Sequence, residues 1–360
     1  MNPSAPAKPL SVSLLALPES TPLALYGLYE VFASVGVTWP LLTGETGEGP
    51  KFDVRIVSTD GRDFRCAMGT PISPDAGIGD VARTDIVLIA DLSLPPDADP
   101  RGRWPSVARW IRDQWERGAT VGTVCTGSLM LADAGLLDGG EATTHWSAAG
   151  LFAEYFPAVA LKPERIIVPC GEDDRLITGG GASSWEDLAL YMIARFCGQA
   201  EAVRTAKVFL FGDRGEGQLP YAVAGIPSRH EDAVIADSQV WIAENYSAAR
   251  PVARMVERSK LAERTFKRRF KAATGYTPVA YVQALRVEEA KQLLETTDEA
   301  ADTIGHLVGY EDPTFFRRLF KRSSGTTPAR YRQRFKSIGR THLPGSGDAG
   351  REKLPNLPKP

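Results

Sequence analysis

A segment of seventeen residues recurs in similar form fifty residues later in this chain, and no other feature constrains the fold as strongly. The first copy, TFKRRFKAATGYTPVAY, begins at Thr265, and the second, FFRRLFKRSSGTTPARY, begins at Phe315. A repeat of this kind predicts one supersecondary unit present in two copies. The identical pairs are Phe266 and Phe316, Arg268 and Arg318, Phe270 and Phe320, Lys271 and Lys321, Gly275 and Gly325, Thr277-Pro278 and Thr327-Pro328, and Tyr281 and Tyr331.

Each copy begins with the pattern of an amphipathic helix, because its two paired phenylalanines stand four residues apart and share one buried face. Gly275 and Gly325 predict the ends of these helices, and the prolines that follow predict the start of the next ones. A further short helix is predicted upstream of each copy, over residues 251–258 and 303–308. Two short helices joined by a tight turn, the second one basic, form a helix-turn-helix unit.

A stripe of polar and cationic residues with helical spacing runs beside each buried face. We expect it to contact base edges and neighbouring phosphates in the major groove, since the arginine fork matches the acceptors of guanine. The alternative is an ordinary solvated helix face. The stripe residues are Arg264, Lys267, Arg268 and Lys271 in the first copy, and Thr314, Arg317, Arg318 and Lys321 in the second.

Residues 236–335 resemble the AraC/XylS family of bacterial transcription regulators. The segment that carries the resemblance is ADTIGHLVGYEDPTFFRRLFKRSSGTTPARYR. The resemblance implies an all-α domain with two helix-turn-helix units, promoter DNA and RNA polymerase as partners, a homodimer, and usually activation. Two residues depart from the family pattern: Lys260 replaces a turn glycine, and Ala262 replaces a capping serine. We expect a looser first unit, because a lost cap costs about 1 kcal/mol. The second unit keeps Gly309 and has Asp312 as its cap.

The charge distribution agrees with a nucleic-acid-binding end. The 360 residues carry a net charge of −2, but residues 237–360 hold 23 lysines and arginines against 14 acidic residues. The remaining residues hold 19 basic against 30 acidic side chains. Such asymmetry predicts a basic DNA-binding module fused to an acidic domain, with two differently solvated surfaces as the alternative.

The first two hundred residues alternate strand and helix patterns, which predicts an α/β domain with a mostly parallel, flavodoxin-like sheet. In such sheets ligands bind at the carboxyl ends of the strands. Strands are predicted over residues 10–17, 52–58, 85–90, 119–125, 165–168 and 176–178, and helices over 23–34, 104–117, 127–134, 147–156 and 184–196.

We divide the chain into a flexible N-terminus (1–9), a sensing domain (10–211), a linker (212–235), a DNA-binding domain (236–336) and a disordered tail (337–360). No apolar run approaches the ~20 residues of a bilayer span, and the N-terminus is a poor signal peptide. We therefore expect a cytoplasmic protein without membrane contact. The four cysteines form no C-x-x-C pair, so neither a metal nor another cofactor is expected.

Cys125 stands between a predicted strand and a predicted helix, which describes a strand-turn-helix elbow. A helix N-terminus beside the thiol predicts a lowered pKa for this cysteine. With His145 twenty residues later, residues 10–197 resemble the ThiJ/PfpI branch of the class I glutamine-amidotransferase-like fold. Fused to an AraC-type end, the chain resembles GlxA-type regulators, which implies a small-molecule effector, here a nitrogenous metabolite. The expected effector-binding residues are Cys125, Thr126, His145, Trp146 and Glu30.

Enzymatic relatives carry an acid where this chain has Ala24, and a Pro-Gly-Gly loop where it has Ala90-Asp91-Leu92. We therefore expect a non-catalytic Cys125 that lines a ligand site. Two alternatives remain open: a reactive or redox-sensing thiol, and residual activity of the isonitrile hydratase or amidase type. The alternative interpretation of His145 is a core histidine whose hydrogen bonds are satisfied. For the glycines at 179–181 we favour close backbone packing over phosphate binding.

Overall fold

A computed structural model describes residues 8–47, 49–95, 98–212, 215–223 and 230–336. The chain forms two compact units, Met1–Val223 and Ala224–Pro360, and their boundary falls inside the predicted linker. The predicted tail and residues 1–7 lie outside the described residues. Within the described ranges, no helix has both the length and the apolar character needed to cross a bilayer.

The first unit is built on a seven-stranded sheet with the order β10-β11-β7-β6-β1-β2-β5. Its neighbouring strands pair in parallel, except for the antiparallel pair β10 and β11. Two further two-stranded pairs, β3-β4 and β8-β9, lie outside this sheet. The strands are β1 (Leu10–Leu15), β2 (Phe52–Ser58), β3 (Phe64–Arg65), β4 (Pro71–Ile72), β5 (Ala76–Gly77), β6 (Ile86–Ile89), β7 (Thr120–Thr123), β8 (Glu141–Ala142), β9 (Ala160–Leu161), β10 (Ile167–Cys170) and β11 (Leu176–Gly179).

Helices cover both faces of this sheet, because the central strands are apolar on both sides. In β6, Ile86 and Leu88 pack into one core, and Val87 and Ile89 pack into the other. The first core includes residues of α1 and α6, and the second includes residues of α3, α4 and α5. The helices of the first unit are α1 (Pro22–Ser34), α2 (Thr38–Thr43), α3 (Pro105–Glu116), α4 (Ser128–Asp133), α5 (Ala149–Tyr155), α6 (Trp185–Cys197) and α7 (Gln199–Phe209).

The second unit is helical over its described residues, and its two halves repeat the same packing. Phe270 packs edge-on against Tyr281 with ring centroids 5.2 Å apart, and Phe320 packs against Tyr331 in the same way at 5.5 Å. The sequence repeat is therefore a structural repeat. The helices are α8 (Ala233–Asn245), α9 (Pro251–Ser259), α10 (Glu263–Thr274), α11 (Pro278–Thr296), α12 (Ala301–Leu307), α13 (Pro313–Ser324) and α14 (Pro328–Lys336).

The predicted fold class is confirmed: a mostly parallel α/β domain precedes a helical domain with two helix-turn-helix units. The sequence analysis missed α2, α7 and the short strands. It also placed all of 212–235 in the linker, whereas α8 begins at Ala233, and Gln218 is a buried residue of the first unit with hydrogen bonds inside that unit. Extended linkers leave their side chains in solvent, so this part of the prediction needs correction.

Candidate effector pocket and nucleic-acid interface

The first candidate site lies at the carboxyl ends of β1, β6 and β7, which are neighbours in the sheet. The strand order reverses between β1 and β6, and a crevice at such a reversal is the usual ligand position in open α/β sheets. Thr21 follows β1, Asp91 follows β6, and Cys125 follows β7. The Thr21 hydroxyl donates to Asp91 Oδ2 at 2.5 Å and so bridges the reversal.

Cys125 occupies the predicted elbow. Its φ of +57° is unusual for a residue other than glycine, and such strain concentrates at functional sites. Gly127 allows the elbow to approach β6, because a Cβ there would lie 2.7 Å from the carbonyl oxygen of Ala90. The backbone oxygen of Cys125 accepts hydrogen bonds from the hydroxyls of Ser128 and Thr144.

Thr126 connects the elbow to the loop that carries Asp91. Its hydroxyl donates to the carbonyl of Leu92 at 2.6 Å and accepts from the N–H of Leu92 at 2.9 Å. This arrangement holds Asp91 at the pocket edge. Asp91 is 8% exposed, and its Oδ1 is buried without a hydrogen-bond partner in the part of the chain that the structure describes. Burial raises the pKa of this carboxyl.

The electrostatics of the thiol correct the expectation of a lowered pKa. Burial, followed by the charge of Asp91, raises the pKa of Cys125 to about 12, although hydrogen bonds from Thr126 oppose the shift. The thiol is therefore protonated at neutral pH. Among the described residues, no hydrogen bond joins it to His145, so the pair lacks the nucleophile–base contact of an activated cysteine.

His145 is half-buried beside this group. Its Nδ1 accepts the backbone N–H of Ser147 at 3.2 Å, which places the proton of the neutral ring on Nε2. Burial lowers the pKa of His145, and the charge of Asp91 opposes that shift. The ring of Trp146 lies 5.0 Å from the imidazole, centroid to centroid.

Glu30, which was also expected at the pocket, is exposed on α1. Ala24 is buried in α1, so the acid of the enzymatic relatives is absent at that position. A carboxylate nevertheless acts on the thiol, and it comes from Asp91. The acid near the thiol therefore stands at a different position from the acid of the enzymatic relatives. The signal was present as a polar residue directly after a buried strand.

Gln218 is the other residue that sequence reasoning missed. It is 3% exposed, and its Nε2 donates to the carbonyls of Thr144, Pro163 and Arg165 at 2.9 to 3.1 Å. A Cβ on Gly180 would lie 2.3 Å from that nitrogen, so the glycine run exists for close packing, as expected. The Oε1 of Gln218 is buried and has no hydrogen-bond partner within the described ranges.

The second candidate site consists of the basic faces of α10 and α13. All eight residues predicted for DNA contact are exposed, whereas the phenylalanines behind them are fully buried. Lys267 pairs with Glu263, and Arg317 pairs with Asp302. Arg318 lies over the ring of Phe315. The others, Arg264, Arg268, Lys271 and Lys321, form no ion pair with any described residue.

The starts of the two recognition helices differ as the sequence predicts. Lys260 adopts a left-handed conformation with φ of +55°, and Ala262 caps α10 without a side-chain hydrogen bond. In the second helix-turn-helix unit, Asp312 Oδ1 accepts the N–H of Thr314 at 2.8 Å. The first helix-turn-helix unit therefore combines an uncapped helix with a strained turn.

Each of the two domains matches a known family over part of the chain. Residues 28–195 match the DJ-1/PfpI family, and residues 255–334 match a helix-turn-helix domain family. The transcriptional regulator CdhR of Pseudomonas aeruginosa is 26% identical over 309 residues, which are 84% of this chain and 88% of CdhR.

Two further relatives represent the two readings of the first domain. The transcriptional regulator GlxA of Rhizobium meliloti is 27% identical over 60% of this chain and 66% of its own length. An isonitrile hydratase of Pseudomonas putida is 27% identical over 64% of this chain and 89% of its own length.

Proposed function

We propose that this chain, an AraC-type protein of the GlxA kind with an N-terminal DJ-1/PfpI domain, regulates transcription by reading duplex DNA with α10 and α13. The observation that carries the proposal is the duplicated geometry of two exposed basic faces, each backed by the same phenylalanine and tyrosine packing. Two recognition helices on one chain suit two successive major grooves, about 34 Å apart.

The test is affinity for selected DNA. Duplexes are enriched from a random pool with the full chain, and their dissociation constants are compared with those of scrambled duplexes. The proposal expects selected sites to bind at least about 10³-fold more tightly than scrambled DNA at physiological salt. Equal affinities for the two kinds of duplex would contradict it.

We further propose that the crevice around Cys125 binds the effector, a small nitrogenous metabolite. Buried polar atoms are normally paired, and the unpartnered acceptors of Asp91 and Gln218 suit a ligand that carries N–H donors. A thermal-shift screen of nitrogenous metabolites on the full chain tests this, because a ligand that binds only the native state raises Tm. The shift should disappear in Asp91→Ala.

By the same family relationship we propose a homodimer that acts with RNA polymerase as an activator. Sedimentation of the full chain tests the dimer, and transcription in vitro from a selected promoter tests activation.

A second candidate function is cysteine-dependent hydration of the isonitrile hydratase type, favoured by that relative and by the position of Asp91 near Cys125. The protonated thiol and its missing contact with His145 favour the sensor instead. Incubation with isonitriles, amides and α-dicarbonyls separates the two. Turnover that Cys125→Ala abolishes would establish the enzyme.

A further inference from the structure

Arg286 lies at the junction between the two halves of the second unit. The apolar core of this unit divides into one cluster around the phenylalanines of α10 and another around those of α13. Helix α11 belongs to both, since Val282 packs in the first cluster and Val287 in the second. Arg286 precedes Val287 on this helix and is 8% exposed.

The guanidinium of Arg286 bonds to backbone carbonyls from both halves. Its Nε donates to the oxygen of Tyr246 at 2.7 Å, and its Nη2 donates to the oxygen of Ala248 at 3.1 Å. Both acceptors belong to the segment between α8 and α9, in the first half. Its Nη1 donates to the oxygen of Gly309 at 2.8 Å, in the turn between α12 and α13. One rigid planar group therefore joins the first half to the turn of the second helix-turn-helix unit.

The packing at Gly309 shows how closely the halves approach. Its φ is +94°, and an added Cβ would lie 2.6 Å from the oxygen of Ser247 and 2.8 Å from Arg286 Nη2. The Arg286 guanidinium also lies 4.9 Å from the ring centroid of Tyr310. The turn of the second unit thus rests directly against the first half, with the guanidinium between them.

We propose that Arg286 is a positioning residue that sets the orientation of α13 relative to α10, and thereby the base-pair spacing between the two half-sites that the protein recognises. This inference rests on the proposed DNA-binding function. The physical reason is that α11 runs through both cores, so its own bending would let the recognition helices shift. Three charge-assisted hydrogen bonds to carbonyls on both sides oppose such a shift.

The test varies the spacing in DNA. A duplex selected from a random pool with the full chain is rebuilt with one or two base pairs inserted or deleted between its half-sites, and dissociation constants are measured by fluorescence anisotropy. We expect the unmodified protein to lose at least about tenfold in affinity when the spacing changes. We expect Arg286→Met to bind the original duplex about tenfold more weakly and to discriminate less than about threefold between spacings.

Lys291→Met is the matched control, because Lys291 is another buried cation on α11 but bonds to Glu288 on its own helix. It should leave the spacing profile unchanged. A duplex with a single half-site should bind Arg286→Met and the unmodified protein equally. Arg286→Lys, which keeps the charge and loses the fork, should give an intermediate profile and serves where circular dichroism shows that Arg286→Met has lost helix.

An unchanged spacing profile in both Arg286→Met and Arg286→Lys would overturn the inference. So would an equal loss on every duplex including the half-site, because that result describes a merely structural residue. If the unmodified protein binds no duplex better than scrambled DNA, the proposed function itself fails.

Discussion

The side-chain amide of Gln218 donates to the carbonyl of Thr144 at 2.9 Å, across 74 residues of sequence. Thr144 directly precedes His145, and its hydroxyl bonds to the backbone of Cys125. The segment that leads toward the second unit is thus attached to the wall of the candidate pocket. A change at the pocket has a short path to that segment.

Replacement of Gln218 by leucine should loosen this segment. The substitution removes the donor to the buried carbonyl of Thr144, and such a loss costs about 1–3 kcal/mol. Hydrogen exchange of residues 215–223 in the full chain should therefore become faster. Gln239→Leu is the control, because Gln239 is a buried glutamine of the second unit whose side chain bonds to Tyr281. Equal effects of both variants on residues 215–223 would argue against a local attachment.

The thiol of Cys125 should resist alkylation until strongly alkaline pH, because its pKa is raised to about 12. In Asp91→Asn the neighbouring negative charge is gone, so the alkylation profile should move to lower pH while burial keeps it above the ordinary thiol range. Iodoacetamide labelling between pH 7 and 10.5, read by peptide mass spectrometry with Cys125→Ala as the blank, measures both profiles. Rapid labelling of the unmodified protein at pH 7 would contradict the assignment.

The sign of the linked stability follows from the same shift. The folded state holds the Cys125 proton more tightly than the unfolded chain, so stability falls as pH rises from about 9 toward about 12. Cys125→Ser should reduce this dependence. Denaturant titrations at several pH values give the free energy of unfolding of the α/β domain and so measure this dependence.

The N-terminus of α10 should become more stable when a side-chain cap is added, because it lacks one. Ala262→Ser should supply an acceptor for the first N–H groups of α10. The added cap should raise the free energy of opening of the α10 amides by about 1 kcal/mol, which slows their hydrogen exchange. Asp312→Ala is the mirror control, since it removes the corresponding cap of α13 and should accelerate exchange there by a similar amount. If Ala262→Ser leaves the exchange of the α10 amides unchanged, the missing cap does not limit the stability of the first helix-turn-helix unit.

Much of this architecture could be predicted from local pattern. Apolar runs such as 86–89 and the repeated phenylalanines of α10 and α13 determine strand and helix through their neighbours in sequence. Asp91 and Gln218 could not be assigned in this way, because their roles depend on partners that only the tertiary fold brings close. The pKa of Cys125 was misjudged for the same reason: burial and a carboxylate that is remote in sequence but near in the fold outweigh the adjacent helix N-terminus.

Arg318 and Lys321 should separate base readout from phosphate contact. Arg318→Ala should weaken binding to a selected duplex by about 1–3 kcal/mol and relax the preference at one base pair. Lys321→Ala should lower the affinity for all duplexes alike and reduce the salt dependence. Anisotropy titrations at several salt concentrations distinguish these outcomes, and equal sequence-independent losses would exclude base readout by Arg318.

Hydroxyl-radical footprinting of the full chain on a selected duplex tests the central claim most directly. If both recognition helices enter major grooves, two protected windows should appear about one helical turn apart, roughly 34 Å. Arg268→Ala should weaken one window and Arg318→Ala the other. A single window that responds to both substitutions, or protection that neither substitution changes, would contradict the account.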